Sequence, residues 1–184
     1  MSVRHYVLLL LQIFCFLLVK GQQPAPTAVS ATADRLNLVS SNSGKINAKT
    51  GHMVFYRPVY EHKGSTLSAD SGYIYEDEIK RQFFEAFGNV VITQPNGTTI
   101  FADRLHYDAA PQLATLTNNV KMVDGSSTLT TNYLRYNMRA KVGTYTGGGR
   151  IVTQSDTITS KNGYYFETTK DAYFRNSVVV RNPS

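Results

Sequence analysis

The chain has 184 residues and a single cysteine, Cys15, and it lacks an apolar run long enough to span a bilayer. Its longest apolar run is the 13-residue segment Val7–Val19, whereas a membrane-spanning helix needs about 20 apolar residues. A short apolar run after a basic start is typical of a signal peptide. We therefore predict a signal peptide over residues 1–21, with cleavage near Gly21 or Gln22; a retained N-terminal anchor is the alternative.

Removal of this signal peptide leaves a chain without any cysteine, because Cys15 lies within the removed segment. Cys15 does not follow a Leu-x-Gly or Leu-x-Ala tripeptide, which argues against a lipoprotein. An exported protein without disulfides depends on sheet pairing and core burial for its stability. The remaining residues, about 163 of them, are enough for one domain.

Strong charge of one sign is also missing. The net charge is +6, and loss of Arg4 and Lys20 with the signal peptide lowers it to +4. A small basic excess suits contact with anionic lipid, phosphate or glycan, and it equally suits simple solubility. The basic residues are scattered rather than clustered, so we do not expect nucleic-acid binding.

Motifs for catalysis and for metal binding are absent from the sequence. It contains no His-Glu-x-x-His and no Gly-x-Ser-x-Gly. Asp70 and Asp103 occupy equivalent positions of a repeat, but the same position holds Asn132 and then Lys161. A metal site would not tolerate lysine there, so we interpret these residues as polar strand ends. We predict no enzyme activity, no metal site and no cofactor.

The only glycine-rich run is Gly147–Arg150 (GGGR), which matches neither a phosphate-binding loop nor a dinucleotide fingerprint. We predict that it forms a turn, a bulge or a close approach of two backbones.

The chain does contain a repeat. Three segments that begin at Thr98, Ser127 and Asp156 align without a gap at a step of 29 residues. A fixed period indicates one supersecondary unit that stacks on copies of itself. The matched positions are Ile100, Leu129 and Ile158; Tyr107, Tyr136 and Tyr165; Leu116, Tyr145 and Phe174; and Met122, Ile151 and Val180.

Two less regular units precede these three, starting near Ala33 and Thr66, with an insertion around Glu76–Arg81 that we predict to be a longer loop. Each unit has two turn signals, which leaves two strands of about ten residues, and five units give about ten strands. The dipeptides Asn96-Gly97 and Asp124-Gly125 favour hairpins, so the strands should be antiparallel.

Helical periodicity is nearly absent. The segment Glu76–Phe87 comes closest, but its aromatic residues fall where the repeat requires a strand, and we predict a strand there. Residues 22–32 contain two prolines and small residues, and we predict a flexible linker. The all-β domain then covers residues 33–184.

Alternation within the predicted strands places one apolar position of every unit on the same face of the sheet. These positions form an aliphatic stripe that runs from unit to unit. A second set of repeated positions holds tyrosines; these either pack across strands or form an aromatic surface for sugars or acyl chains.

The segments ADRLHYD, GNVVI, NNVKMVDG, GGGRIV and SVVVRNP, all between Gly88 and Pro183, resemble the OstA-like N-terminal domain family. This family includes the periplasmic lipopolysaccharide-transport proteins LptA and LptC and the N-terminal domain of the outer-membrane protein LptD. The triple glycine and the tyrosine-rich strands are most similar to the OstA-like proteins of Bacteroidetes. The resemblance covers about residues 33–183.

The resemblance implies an antiparallel β-jellyroll that folds over like a taco, with an apolar groove that shields the acyl chains of lipid A. It places the protein in the periplasm and leaves association with the outer membrane open. The implied partners are lipopolysaccharide and other lipopolysaccharide-transport proteins, or further copies of the chain paired end to end through open sheet edges.

From the repeat register we select candidates for the lipid groove and for edge pairing. Val178 and Val179 are the edge-pairing candidates, because no charged residue interrupts this part of the last predicted strand. Two alternatives remain open: a structural module that binds protein partners through its sheet edges, and a glycan-binding β-solenoid. The groove candidates are Leu67, Ile92, Ile100, Met122, Leu129, Ile151, Ile158 and Val180.

Overall fold

The structure, a computed structural model, describes residues 36–79 and 81–182. Within these two ranges the chain forms strands and turns and no helix, and none of the described segments is an apolar helix of membrane-spanning length. The predicted signal peptide, the predicted linker and Cys15 lie outside the described residues. The prediction of an all-β, antiparallel fold is confirmed, because every strand pair is antiparallel.

Sixteen strands form one sheet in the described part of the chain. Their bounds are β1 Asn37–Ser40, β2 Ser43–Ile46, β3 Met53–Tyr56, β4 Val59–His62, β5 Ser65–Ser68, β6 Ser71–Glu76, β7 Gln82–Thr93, β8 Thr99–Asp108, β9 Leu113–Asp124, β10 Ser127–Asn137, β11 Val142–Tyr145, β12 Gly149–Val152, β13 Thr157–Ser160, β14 Asn162–Phe166, β15 Asp171–Arg175 and β16 Val179–Arg181.

The number of strands differs from the ten that the repeat predicts, and the difference has a simple origin. Only β7, β8, β9 and β10 run unbroken, with 10 to 12 residues each. Each of the other six predicted strands is interrupted near its middle, which gives the pairs β1/β2, β3/β4, β5/β6, β11/β12, β13/β14 and β15/β16. The interruptions fall on one line across the sheet, because the sheet folds over along that line.

Folding along this line creates two layers that face each other. The groove layer contains β1, β4, β5, β12, β13 and β16, and the tyrosine layer contains β2, β3, β6, β11, β14 and β15. The four long strands belong to both, since β7 pairs with β5 through one half and with β6 through the other. The ring of Tyr60 in the groove layer lies 4.6 Å from that of Phe84 in the tyrosine layer, so the two inner faces are in contact.

The fold line is built from residues with left-handed backbone. Asn118 and Asn119 have φ of 64° and 51°, and Asn176 and Ser177, two repeats later, have 64° and 53°. Asparagine and glycine adopt this conformation at the lowest cost among the common residues. The glycines of the GGGR run take the same place, with φ of 80° and 116° at the first two, so the run forms a corner as predicted.

The core next to the fold line depends on one tyrosine. Tyr145 is buried, and its hydroxyl lies 2.5 Å from the Ser160 hydroxyl. Burial raises the pKa of Tyr145, while the hydrogen bond with Ser160 acts to lower it. Its ring lies against Gly149 and Gly163, and a Cβ atom on either glycine would overlap the ring. The strands β12 and β14 therefore need glycine at the positions that face the Tyr145 ring.

The inserted segment after β6 is a loop, as predicted. Asp77 receives hydrogen bonds from the backbone N–H groups of Ile79 and Arg81 at 3.1 and 2.8 Å, and it forms an ion pair with the Arg81 side chain at 2.6 Å. The Arg81 side chain is half exposed. These contacts close the turn between Asp77 and Arg81.

Candidate functional site

The eight groove candidates lie in one unbroken row across the groove layer. Each is the cross-strand neighbour of the next, so the row crosses β5, β7, β8, β9, β10, β12, β13 and β16. The order is Leu67, Ile92, Ile100, Met122, Leu129, Ile151, Ile158 and Val180. We call it the aliphatic row. The 29-residue period and the strand alternation were enough to select its members, but their role in lipid binding stays a prediction.

Burial changes along the aliphatic row. Ile100 in the middle of the sheet is fully buried, and Ile151 is 6% exposed. Ile158 is only half-buried, and Val180 on the last described strand is 58% exposed. The row therefore begins inside a filled core and ends at the open C-terminal end of the fold.

A cavity of about 130 Å³ lies between the layers at this end. Leu129 and Ile158 line it from the groove layer, and Tyr165 and Phe174 line it from the tyrosine layer. The apolar walls have a polar rim that includes Lys170. The cavity is smaller than the roughly 300–1,000 Å³ of typical small-molecule sites, so a larger apolar ligand would need the layers to move apart.

The repeated tyrosines face the aliphatic row from the opposite layer. Tyr107, Tyr136 and Tyr165 lie in one row of the tyrosine layer, alternating with small residues on the strands between them. Each packs as the first interpretation predicts, and each also directs its hydroxyl to a polar partner at the side of the fold opposite the fold line. We call this set of polar contacts the seam.

The first part of the seam joins the layers through neutral and charged partners. The Tyr107 hydroxyl lies 2.7 Å from Nδ1 of His62 on β4. The Tyr136 hydroxyl donates a hydrogen bond to Glu167, which also accepts one from the Asn96 side-chain amide at 2.7 Å. Because Asn96 follows β7 in the groove layer and Glu167 follows β14 in the tyrosine layer, this acid links the two layers.

The second part of the seam is an ion pair at the cavity rim. Asp124, at the end of β9, accepts hydrogen bonds from the Tyr165 hydroxyl and from Nζ of Lys170, the latter at 2.6 Å. Burial acts to raise the pKa of Asp124, but the hydrogen bonds from Lys170 and Tyr165 and the Lys170 charge outweigh it, so its pKa lies below the ordinary value. Burial, followed by the contact with Asp124, raises the pKa of Tyr165.

Glu167 shows the opposite shift. Burial raises its pKa, the Lys170 charge acts to lower it, and the Asp124 charge raises it further. A raised pKa means that the ionised form is disfavoured at this position. The seam thus contains one acid that is stabilised as a carboxylate and one that is not.

The edge-pairing candidates lie at the C-terminal end of the groove layer. Val178 precedes β16 and Val179 begins it, and both are exposed. In the described part of the chain β16 pairs on one side only, with β13. The other side of β16 is therefore available for a further strand. A role of Val178 and Val179 in assembly stays a prediction.

No group of three or more His, Cys, Asp or Glu residues that could hold a metal ion occurs among residues 36–79 and 81–182. Asp70 and Asp103, the acids that recur in the repeat, instead lie at the fold line. They accept hydrogen bonds from the side-chain amides of Asn89 and Asn119 at 2.9 and 2.7 Å. Their recurrence is explained by the corner that they support.

A family model with the description OstA-like protein matches residues 33–184. The chain belongs to the OstA-like protein family. The match includes every described strand, so the aliphatic row and the seam both lie inside the OstA-like domain. No match was found among the curated proteins.

Among solved structures, this OstA-like chain is similar to LptH, the LptA-homologous periplasmic component of the conserved lipopolysaccharide transport device from Pseudomonas aeruginosa. The two share 10% sequence identity with a TM-score of 0.46, over 82% of this chain and 96% of LptH.

The partners of the tyrosines are not apparent from the sequence. Asp124 belongs to a hairpin dipeptide, which suggests only a turn, and His62 and Glu167 fall at positions that the repeat does not relate to each other. The sequence feature that points to such partners is the equal spacing of Tyr107, Tyr136 and Tyr165, which places their three hydroxyls at the same side of the sheet. A buried phenol needs a hydrogen-bond partner, but the sequence does not identify which turn supplies it.

Proposed function

We propose that this protein is a periplasmic module that binds lipopolysaccharide and shields the acyl chains of lipid A between its two layers. In this proposal the protein carries out no chemical reaction. Acyl chains leave water for the aliphatic row, which favours transfer by about 25 cal/mol for each Å² of apolar surface that is buried. Membership of the OstA-like family and the likeness of the chain to the family's lipopolysaccharide-transport proteins motivate the choice of ligand.

The observation that carries the proposal is the continuity of the aliphatic row. Seven consecutive strand pairs keep an apolar side chain at the same inner position, and the row reaches the open end at Val180. A core that served stability alone would be expected to end with its last large side chains covered. Here Ile158, which lines the cavity, is only half-buried, and its cross-strand neighbour Val180 is exposed, as an entry point for an acyl chain requires.

Uptake beyond the cavity requires the layers to separate. The middle of the interior is filled, since Leu116, Leu134 and Ile100 are fully buried. The seam is where separation would occur, because at the opposite side the backbone of every strand path passes through the fold line and joins the two layers covalently. We infer that the acyl chains enter at the C-terminal end and open the seam progressively.

The proposal extends to assembly. Among residues 36–79 and 81–182 the sheet has an unpaired edge at each end, including β16 with Val178 and Val179, and these edges would allow copies of the chain, or other lipopolysaccharide-transport proteins, to pair end to end. Stacked copies would continue the aliphatic row from one protein to the next and form a bridge across the periplasm, with or without attachment to the outer membrane.

A second candidate function is a structural module that binds protein partners through its edges and carries no lipid. The filled middle of the interior favours this candidate. A glycan-binding β-solenoid is a third possibility, and binding of polysaccharide without any dependence on acyl chains would support it. The three candidates make different predictions about cross-linking to lipopolysaccharide.

The test places a photo-crosslinking residue at Leu129 or Ile158, next to the cavity, in cells that contain lipopolysaccharide. Thr130 and Thr159, one residue further along the same strands, serve as matched controls because strand alternation turns them to the outer face. We expect adducts with lipopolysaccharide at the first pair and none at the second. Adducts at the control positions alone, or at none of the four, would contradict the proposal, and the absence of all adducts would favour the structural module.

A further inference from the structure

A polar pocket of about 300 Å³ lies on the seam side of the fold, separate from the cavity at the C-terminal end. Turns from both layers contribute to it. The turns after β4 and β7 come from the groove layer, and the turns after β8, β10 and β14 come from the tyrosine layer. The polar side chains that line it include Lys63, Gln94, Asn96, Gln112, Lys141 and Glu167.

Three long polar residues of this pocket have left-handed backbone. The values of φ are 51° at Lys63, 56° at Gln112 and 55° at Lys141. Gln112 and Lys141 are separated by one repeat of 29 residues, and Lys170, with φ of 63°, is one further repeat along. The repeat therefore has a left-handed position in this turn just as it has one at the fold line.

The two left-handed positions are filled differently. In four of the five strand paths that bend this way, the fold-line positions hold asparagine, glycine or serine, and in the fifth they hold Arg57; in the turns near the pocket they hold lysine and glutamine. The backbone alone does not favour a long side chain in this conformation. Residues held in uncommon backbone conformations cluster at functional sites, so three such residues around one pocket mark it as a candidate site.

The pocket also contains an acceptor without a partner. Gln94 is 8% exposed, and its Oε1 atom has no hydrogen-bond partner among the described residues. A buried carbonyl without a donor is costly, and a ligand hydroxyl would satisfy it. Gln112, which is 6% exposed, supplies a second buried amide.

The charges around the pocket favour a ligand with a negative group. The ammonium groups of Lys63 and Lys141 lie on opposite layers, and the one carboxylate, Glu167, already accepts hydrogen bonds from Tyr136 and Asn96. Nζ of Lys141 is 3.7 Å from Glu167 and is about half exposed, which leaves it accessible to a ligand. The pocket thus offers two side-chain amides and two ammonium groups, and its one carboxyl group already accepts hydrogen bonds from the protein. Amides suit the hydroxyl groups of a ligand ring, and ammonium groups suit an anionic substituent on that ring.

We propose that this pocket binds a sugar ring that carries a phosphate or carboxylate group, as the headgroup of a glycolipid whose acyl chains lie between the layers. The inference rests on the proposed function, which brings a glycolipid to the interior. Gln94 and Gln112 would bind the ring hydroxyls, and Lys63 and Lys141 the anionic group. Because these lysines come from different layers, a bound headgroup would also bridge the seam.

The experiment measures calorimetric binding of two probes to the full mature chain: lipopolysaccharide freed of its acyl chains, and inorganic phosphate. The test variants are Gln94→Leu and the double substitution Lys63→Gln, Lys141→Gln. Lys121→Gln, on the outer face of β9, is the matched control for loss of a lysine. We expect the deacylated glycan to bind, and each test variant to weaken its binding about tenfold or more, while the control leaves it unchanged.

The Gln94→Leu variant shows whether weaker glycan binding results from a lost contact or from a less stable fold. It removes an acceptor that has no partner, so the thermal midpoint should stay the same or rise while glycan binding falls. Equal binding of the glycan to wild type and all variants, or no binding to wild type, overturns the inference. Binding of inorganic phosphate as tight as that of the glycan overturns the assignment to a sugar ring.

The same preparations distinguish this inference from the proposed function. If Leu129 and Ile158 cross-link to intact lipopolysaccharide while the deacylated glycan fails to bind, only the assignment of the pocket is wrong. If the glycan binds through the pocket but the cross-links are absent, the inference in its present form is wrong as well, because the pocket would then act without an acyl groove.

Discussion

At the scale of single residues, the fold depends on a few positions where size is restricted. Gly163 on β14 faces the ring of Tyr145, and a Cβ atom there would come about 2.5 Å from the ring. Gly143 lies on β11, which pairs directly with β14, and a Cβ atom there would have only ordinary contacts of 3.5 Å or more. Gly163 therefore has no room for a Cβ atom, whereas Gly143 on the neighbouring strand has room for one.

We predict that Gly163→Ala lowers the free energy of unfolding by about 1–3 kcal/mol, because the added methyl group displaces the Tyr145 ring in a filled core. Gly143→Ala is the matched control and should change stability by no more than about 0.5 kcal/mol. Urea denaturation of the two variants and the wild type measures the effect. Equal losses in both variants would show that the Tyr145 contact is not the cause.

The acids of the seam make stability depend on pH in a definite direction. The folded-state pKa of Asp124 is lowered, so its ionisation stabilises the fold above its unfolded pKa, about 3.9. This contribution is lost as the pH falls through the folded-state value. Glu167, with a raised pKa, acts in the opposite sense: ionisation above its folded-state pKa costs stability, and protonation relieves that cost.

We predict that Asp124→Asn is less stable than the wild type at pH 7 and that the difference shrinks as the pH falls below about 4. The physical reason is that the wild type then loses the ion pair with Lys170 and its hydrogen bond from Tyr165. Urea denaturation at pH 7, 5 and 3 provides the measurement. Asp171→Asn, at an exposed position of β15, controls for the loss of one acidic residue; a constant difference for Asp124→Asn at all three pH values would contradict the prediction.

At the scale of elements, the four long strands and the six interrupted ones follow one rule. Every strand bends at the fold line, and every second strand bends through residues with positive φ. In β9 these are Asn118 and Asn119, within a strand that stays continuous, whereas in β11 and β12 a run of glycines ends one strand and begins the next. The corner is thus a property of the repeat, and the residue type decides whether pairing continues through it.

We predict that Asn118→Val destabilises the fold by about 1–2 kcal/mol, because a β-branched side chain is strained at a φ of 64°. Asn118→Gly should be neutral, since glycine adopts this conformation freely. Lys121→Val in the same strand is the control for a new valine, and its extended backbone should accept the change. Thermal unfolding compares the three; equal midpoints for the two valine variants would mean that the corner does not constrain its residues.

The repeat predicted the strand paths correctly, but it did not predict where six of them are interrupted. The turn signals predicted ten strand paths, and ten paths are present, because each interrupted pair occupies the path of one predicted strand. The breaks at Pro58, Asp70 and Lys161 were missed, since the alternation of apolar residues continues across them. When a strand path passes from one layer to the other, the same alternate residues continue to face inward. The apolar alternation in the sequence therefore does not reveal the interruption.

At the scale of the whole molecule, the sheet folds over but does not close on itself. The strands β1 and β2 at one end and β15 and β16 at the other each pair on one side only within the described residues. Exposed valines at 178–180 extend the apolar interior to the surface at the C-terminal end. An open edge beside an open interior is the arrangement that end-to-end pairing would cover.

We predict that the double substitution Val178→Lys, Val179→Lys reduces self-association of the mature chain, because charged side chains on an edge oppose strand addition. Phe101→Lys is the control: Phe101 is 39% exposed on the outer face of β8, a central strand. Sedimentation velocity over a range of protein concentrations should show oligomers for the wild type and the control and monomers for the double variant. Identical profiles for all three would exclude this edge from the contact.

The strand paths, their antiparallel order and the aliphatic row follow from the amino-acid sequence alone, because a 29-residue period and a two-residue alternation are local patterns that are present in the chain before it folds. The remaining features depend on how the two layers pack against each other. Whether the row meets open space, as at Ile158, or a filled core, as at Ile100, depends on which side chains the opposite layer brings to it. The seam and the polar pocket likewise join turns from two layers: the repeat places the tyrosines, and Gln112 and Lys141, in phase, but it does not identify the residues that the other layer brings to them.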